Sequence, residues 1–162
     1  MIKPLLQKLV VAVNGSEQSL NAAMYAIMFA KQYKCDLKVV YVVDTATLKQ
    51  LELSNFFIPD ESARYKARLE SDGQKYLDYV ARLAAEKKVQ ISTELRKGSV
   101  WNEIVTAADE FDASLIMLGG KRRDYLGRLY KTSPVNSEII GSTNRNVFIV
   151  KEEDVEGLFK LA

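Results

Sequence analysis

The sequence predicts an α/β protein in which five parallel strands form one doubly wound sheet with helices on both faces. Strand-like and helix-like segments alternate along the chain in the order βαβαβαβαβ, which is typical of parallel strands joined by crossover helices. The strand segments at residues 9 to 13 and 115 to 118 are continuously apolar, as strands covered on both faces are. Because 162 residues supply one core rather than two, we expect a single domain.

The first half of the chain shows two strands and a crossover helix. The run at residues 9 to 13 ends at Asn14 and Gly15, and Ser16 is a suitable N-cap for the helix that follows. A second strand is predicted over residues 37 to 43. Residues 44 to 60 form a long connection before the next helix, and loops of that length are often functional.

The second half repeats the alternation. A long helix is predicted over residues 61 to 88, with a local irregularity near Gly73, since glycine costs about 1 kcal/mol relative to alanine within a helix. The remaining predicted elements are an edge strand at residues 89 to 95, a helix after Gly98 and Ser99, a strand at 113 to 118, a helix at 134 to 141 and a strand at Asn146–Val150.

Residues 1 to 151 are predicted to form the α/β domain, and residues 152 to 162 an amphipathic C-terminal tail. The tail is expected to pack on its own domain or on a second subunit, because Phe159 and two leucines are costly to leave in water.

Right-handed crossovers predict a Rossmann-like sheet with strand order 3-2-1-4-5. In such a sheet the ligand crevice lies beyond the carboxyl ends of the strands where the order reverses, here the first and fourth strands. Asn14 and Gly15 are expected to face Gly119 and Gly120 across that crevice. Unpaired amides and helix N-termini converge at such places, which favours an anionic ligand.

Charge is distributed unevenly. The formal net charge is +2, yet residues 119 to 131 carry five basic residues against Asp124. These five are Lys121, Arg122, Arg123, Arg128 and Lys131. One basic loop is too little to neutralise the many phosphates of a duplex, so small anions are expected as ligands and nucleic acid is not.

The chain contains a single cysteine, Cys35, and no histidine. Without a second cysteine no internal disulfide forms, and no charged and then apolar leader precedes the first strand, so a reducing cytoplasm is expected. No apolar stretch approaches the roughly 18 residues of a membrane span. The absence of histidine excludes serine and cysteine triads of the usual kind and the usual zinc sites, so no catalytic residue and no metal site are predicted. Cys35 is interpreted as a packing residue.

Several of these segments together resemble the universal stress protein family over residues 6 to 151. The resemblance depends on residues 13 to 17, on residues 40 to 44, on Gly98, and on residues 112 to 133 followed by Asn146–Val150. The ATP-binding branch of that family has the pattern Gly, two residues, Gly, nine residues, Gly-Ser. In this chain the pattern falls on Gly119, Arg122, Thr132 and Ser133, so Gly119 is the only glycine of the motif that is retained.

The resemblance implies a site for ATP or ADP, with magnesium. Asn14 would stand where the family has an aspartate near the ribose, the backbone at Val42 would lie beside the adenine, and Gly119, Lys121 and Ser133 would lie along the phosphates. The implied contact residues are Ala12, Val13, Asn14, Val42, Leu118, Gly119, Lys121, Arg122, Thr132 and Ser133.

Two hypotheses follow. In the first, Arg122 and Thr132 bring Cβ atoms into space that glycine leaves open, and the protein is a non-enzymatic stress-response module. It would then act as a homodimer through the last strand and through an unidentified protein partner. In the second, Lys121 and Arg122 replace the lost amide dipoles with full charges, and the protein binds ATP or ADP with, at most, slow hydrolysis. Asn14 and Gly15 alone also fit a plain turn, and Ser133 alone fits a plain N-cap.

Overall fold

The computed structural model describes residues 2 to 121 and 132 to 162. Arg122 and most of the basic loop lie outside the described residues. The described elements are β1 (Lys8–Val13), α1 (Glu17–Tyr33), β2 (Asp36–Asp44), α2 (Thr45–Leu53), α3 (Pro59–Glu86), β3 (Ile91–Gly98), α4 (Val100–Phe111), β4 (Leu115–Gly119), α5 (Pro134–Ser142), β5 (Asn146–Val150) and α6 (Val155–Leu161).

The five strands form one parallel sheet in the order β3-β2-β1-β4-β5. The predicted fold class and strand order are confirmed. The order reverses between β1 and β4, so the crevice expected of a doubly wound sheet lies at their carboxyl ends. The alternating strand β3 lies at one edge of the sheet, as predicted, and β5 lies at the other.

Each face of the sheet is covered by its own apolar layer. On one face Leu9 and Val11 of β1 pack in a cluster with residues of α1, α3 and α6. On the other face Val10 belongs to a second cluster with residues of α4 and α5. All three side chains are at most 1% exposed, which explains why the β1 sequence is apolar without alternation.

The connection at residues 44 to 60 contains a helix that was not predicted. Asp44 caps α2, because its carboxylate accepts hydrogen bonds from the backbone N–H and the hydroxyl of Thr47. Leu48 is the buried residue of α2. The interpretation of residues 44 to 60 as an open loop was therefore wrong. A nine-residue helix with one buried side chain has too little apolar periodicity to be predicted from the sequence.

The irregularity expected near Gly73 is also absent, since α3 runs unbroken from Pro59 to Glu86. Gly73 is buried, and a Cβ atom there would lie 2.8 Å from the Tyr41 ring. Glycine at position 73 therefore lets α3 approach β2 closely. This packing outweighs the low helix propensity of glycine.

The C-terminal segment packs against α1 through α6. Val155 and Phe159 are 1% and 5% exposed and belong to the α1 side of the core, whereas Leu161 is 87% exposed. The packing predicted for Phe159 is confirmed, although Leu158 and Leu161 remain largely in solvent. Across residues 2 to 121 and 132 to 162, no helix has the length and apolar character needed to cross a membrane.

Candidate functional site

A cleft of about 800 Å³ opens at the carboxyl ends of the strands, where β2, β1 and β4 lie side by side. This volume falls within the range of about 300 to 1,000 Å³ that small-molecule sites occupy. Nine of the ten predicted contact residues are described, and all nine line this cleft: Ala12, Val13, Asn14, Val42, Leu118, Gly119, Lys121, Thr132 and Ser133. The tenth, Arg122, lies outside the described residues.

The turn after β1 is held by its own polar groups. Gly15 has a φ of +85°, which favours glycine, and the N–H of Ser16 donates to Asn14 Oδ1 at 3.0 Å. Ser16 Oγ caps α1 by accepting from the N–H of Ser19 at 3.1 Å, as predicted. The side chain of Ser19 in turn accepts from the N–H of Asn14 at 3.1 Å. The turn therefore has a fixed shape, and the N-terminus of α1 faces the cleft.

The end of β2 supplies an apolar wall and a free backbone edge. β1 pairs with β2 only as far as Val13 opposite Tyr41, whereas β3 continues to Gly98 opposite Asp44. Among the described strands, residues 42 to 44 thus have no partner on the β1 side. The apolar wall beside them consists of Val42, Val100, Ile104 and Leu118, which pack together on the α4 face of the sheet. An exposed backbone edge next to an apolar wall suits a flat heteroaromatic ring.

Gly119 ends β4 at a point where the chain approaches α1 very closely. A Cβ atom at Gly119 would overlap the backbone carbonyl of Gln18 in the first turn of α1. The packing of β4 against α1 is therefore sufficient to require glycine here, with or without a ligand. Gly119 alone does not distinguish a phosphate-binding turn from a tightly packed strand end.

Ser133 caps α5 on the β4 side of the cleft, away from β2. Its Oγ accepts from the N–H of Asn136 at 3.1 Å, and Pro134 occupies the first turn, where its missing N–H is tolerated. Among the described residues nothing accepts the hydroxyl proton of Ser133, so it can be donated to a ligand. The N-termini of α1 and α5 therefore both lie at the cleft and give it the partial positive charge that anions prefer.

Comparison with known proteins agrees with this geometry. The pattern of the universal stress protein family matches residues 6 to 151. The chain belongs to the universal stress protein family. Universal stress protein MJ0531 of Methanocaldococcus jannaschii is 32% identical over 154 residues, which cover 94% of this chain and 86% of that protein.

Solved structures of universal stress proteins share the fold. A family member from Burkholderia pseudomallei has a TM-score of 0.73 and 21% identity, and the match covers 93% of this chain and 100% of that one. A universal stress protein in complex with cAMP has a TM-score of 0.63, 20% identity and coverage of 93% and 100%. One from Archaeoglobus fulgidus in complex with dAMP has a TM-score of 0.61, 18% identity and coverage of 91% and 100%.

One structural residue of this universal stress protein was not predicted from the sequence. Asn136 Nδ2 donates to the carbonyl oxygen of Gly119 at 2.9 Å and so fixes the start of α5 to the end of β4. The same residue uses its backbone N–H to bind Ser133. The sequence shows only that Asn136 lies three residues after an N-cap serine. An asparagine at that position does not by itself predict a tertiary contact.

Charged and titratable groups divide the cleft into two sides. Lys121 lies on the β4 side and Asp44 at the end of β2. Burial, with a smaller contribution from the Asp72 carboxylate, raises the pKa of the Tyr41 hydroxyl at the cleft wall. Tyr41 therefore keeps its proton at neutral pH.

Within the described ranges, no three His, Cys, Asp or Glu side chains are grouped so that they could hold a metal ion.

Cys35 lies in the core rather than in the cleft. It is 8% exposed, and its Sγ lies 3.5 Å from the carbonyl oxygen of Leu6. Burial, together with the nearby carboxylate of Asp36, raises the pKa of the thiol. Since the thiolate is the reactive form, the interpretation of Cys35 as a packing residue is confirmed.

Proposed function

We propose that this universal stress protein is a non-enzymatic regulatory module that binds an adenine nucleotide in the cleft between β2, β1 and β4. The observation that carries the proposal is the cleft itself, because all nine described contact residues implied by the family resemblance line it. The solved structures of the same fold that hold cAMP or dAMP support the choice of ligand.

The cleft offers separate environments to the two ends of a nucleotide. Ile104 and Leu118 line the cleft beside the free backbone at Val42 and give that side an apolar character that suits the base. Lys121, Ser133 and the N-terminus of α5 offer a cation, a hydroxyl and oriented dipoles for phosphate. A mononucleotide is long enough to reach both surfaces. Whether ATP or ADP with magnesium is also accepted stays a prediction of the resemblance.

The described lining of the cleft does not favour turnover. Its one carboxylate, Asp44, ends β2, whereas Lys121 and Ser133 lie on the β4 side of β1. The chain has no histidine. Hydrolysis of a phosphoanhydride needs a group that positions the attacking water near the phosphates, and none of the described residues that line the cleft on the β4 side is a carboxylate or a histidine. Binding is therefore proposed without catalysis.

A homodimer through β5 completes the proposal. β5 is an edge strand of five residues, NVFIV, without a charged side chain. The other edge strand, β3, carries Glu94, Arg96 and Lys97, charges that discourage strand pairing. An uncharged edge is the side on which a second copy adds most readily, and a twofold pair uses the β5 edge of both copies. A partner protein and a cytoplasmic location remain predictions from the sequence.

The proposal is tested by calorimetric titration of the nucleotide-free protein with AMP, ADP and ATP, the last two with and without magnesium. The variant Ser133→Asp keeps a good N-cap for α5 but adds a negative charge where the phosphate is placed. Ser142→Asp adds the same charge at the other end of α5 and is the matched control.

We expect saturable binding by the wild type and by Ser142→Asp, and binding at least about tenfold weaker by Ser133→Asp, since like charges at close range repel strongly. Absence of binding by the wild type at millimolar nucleotide would refute the proposal. It would favour the alternative in which the module acts through protein contacts alone.

A further inference from the structure

We propose that Asp44 accepts hydrogen bonds from the ribose hydroxyls of the bound nucleotide and so makes the cleft selective for ribonucleotides. The inference rests on the proposed function, because it names the residue that recognises the sugar in the same cleft. Asp44 is the last residue of β2, and it is the one carboxylate that lines the cleft in the described part of the chain.

The position of Asp44 in the sheet suits a sugar rather than a phosphate. β2 lies on one side of β1 and β4 lies on the other. Neighbouring strands are about 4.8 Å apart, so β2 and β4, on either side of β1, lie about 10 Å apart across the sheet. Lys121 and Ser133, at the β4 side, are therefore far enough from Asp44 for a phosphate to bind without strong repulsion. In dinucleotide-binding sheets, too, an acidic residue that follows the glycine turn accepts the ribose hydroxyl.

The carboxylate of Asp44 is oriented and still has free acceptor positions. Its Oδ1 accepts from the N–H of Thr47 at 3.0 Å, and its Oδ2 accepts from Thr47 Oγ1 at 2.7 Å. A carboxylate has about four acceptor positions, so with the partners that the described residues supply, one remains on each oxygen. The two neighbouring hydroxyls of a ribose match the two oxygens of the Asp44 carboxylate. The hydrogen bonds from Thr47 hold this carboxylate in place before the ligand binds.

Asn14, the residue that replaces the family aspartate near the ribose, is poorly suited to the acceptor role. Its Oδ1 already accepts from the N–H of Ser16 at 3.0 Å, which closes the turn after β1. Its Nδ2 group is a donor and has no hydrogen-bond partner among the described residues. Asn14 can therefore donate to a sugar oxygen, while an acceptor for the hydroxyl protons has to come from elsewhere. Asp44 supplies it from the next strand.

The experiment compares AMP with 2′-deoxy-AMP, 3′-deoxy-AMP and 2′,3′-dideoxy-AMP by calorimetric titration of the full chain. The variant is Asp44→Asn, which keeps a residue that caps helices well but removes the charge and one acceptor. Asp154→Asn is the matched control, because Asp154 caps α6 in the same way, accepting from the N–H of Gly157 at 3.0 Å, and does not line the cleft.

We expect the wild type to bind AMP about tenfold more tightly than the dideoxy nucleotide, with the two monodeoxy nucleotides in between. Asp44→Asn should weaken AMP binding by about tenfold and change binding of the dideoxy nucleotide by less than about twofold. Asp154→Asn should change neither. A purely structural role for Asp44 would weaken the binding of all four ligands equally.

Three results would overturn the inference. If the wild type binds AMP and the dideoxy nucleotide equally well, or if Asp44→Asn weakens both to the same extent, Asp44 does not recognise the ribose, although the nucleotide-binding function stands. If the wild type binds none of the four ligands, the proposed function and this inference fail together.

Discussion

At the residue scale, the glycines of this chain have different roles in the structure. A side chain at Gly119 would overlap the carbonyl of Gln18, and one at Gly73 would meet the Tyr41 ring at 2.8 Å. By contrast, nothing lies within 4 Å of the Cβ position of Gly141 in α5. Two of these glycines are required by close packing, and the third is not.

This difference predicts opposite effects of alanine. Gly119→Ala should lower the free energy of unfolding by about 2 to 4 kcal/mol, since β4 and α1 must move apart to admit a methyl group into a packed contact. Gly141→Ala should be neutral or raise it by up to about 1 kcal/mol, because alanine favours a helix. Urea unfolding measures both. Equal stability of Gly119→Ala and the wild type would show that the close contact is not present.

The site residues differ in how far the sequence could predict them. Ser16 and Ser133 were predictable as N-caps because serine before a helical pattern has a local role. Asn136 and Asp44 were not predicted as parts of the site, because the carbonyl of Gly119 that binds Asn136 is 17 residues away and Asp44 was placed in a loop. Contacts of that kind depend on the folded arrangement of elements, which a local pattern does not contain.

At the scale of elements, the edge strand β3 is tied to α4 by a cluster of ion pairs. Arg96 contacts Glu94 at 2.7 Å and Glu103 at 3.1 Å, and Lys38 of β2 contacts Glu94 at 3.2 Å. Burial alone would raise the pKa of Glu94, but the hydrogen bonds and charges of Arg96 and Lys38 outweigh it and hold the pKa below its usual range. Burial is the largest single effect on Arg96 and would lower its pKa, but the hydrogen bonds and charges of Glu110, Glu94 and Glu103 together outweigh it and raise the pKa.

A lowered pKa of Glu94 makes stability depend on pH. Its contribution is complete above the ordinary glutamate pKa of about 4.3 and is lost as the pH falls through the lower pKa of the folded state. Glu94→Gln should therefore be less stable than the wild type at pH 7, and the difference should shrink at acidic pH. Urea unfolding over a pH series checks this, with Glu138→Gln, at an exposed position, as the control. A difference that stays constant across the series would contradict it.

The elements themselves were predictable where burial is continuous or periodic. β1 from Leu9 onward and β4 from Leu115 to Leu118 are continuously apolar and largely buried, and the sequence shows this directly. The helix α2 was not predicted, because Leu48 is its one buried side chain. The N-cap at Asp44 stabilises the start of this helix. A short helix fixed by a cap and tertiary contacts leaves no periodic signal.

At the scale of the whole molecule, the two sheet edges are predicted to behave differently. If two copies pair through β5, its edge amides become hydrogen-bonded, whereas those of β3 do not. Hydrogen exchange of β5 should therefore slow as protein concentration rises through the dimerisation range, and exchange of β3 should not change. Analytical ultracentrifugation should show a dimer over the same range. A monomer at all concentrations, or protection at β3 instead, would contradict the proposed interface.

The doubly wound architecture could be predicted because alternating elements with right-handed crossovers permit few topologies. The place of the cleft followed from the reversal of strand order between β1 and β4. Its chemistry could be predicted only in part, since Gly119 is required by packing against Gln18 and does not by itself indicate a phosphate. The sequence therefore predicts where a ligand would bind more firmly than which ligand it is.

The central claim is that an adenine nucleotide occupies this cleft, and a titration of the isotope-labelled protein with AMP, followed by amide chemical shifts, tests it most directly. We predict saturable shifts at Asn14, Val42, Gly119 and Ser133, with little change at the amides of α6 on the other side of α1. No shifts at millimolar AMP, or saturable shifts confined to residues outside the cleft, would contradict the claim.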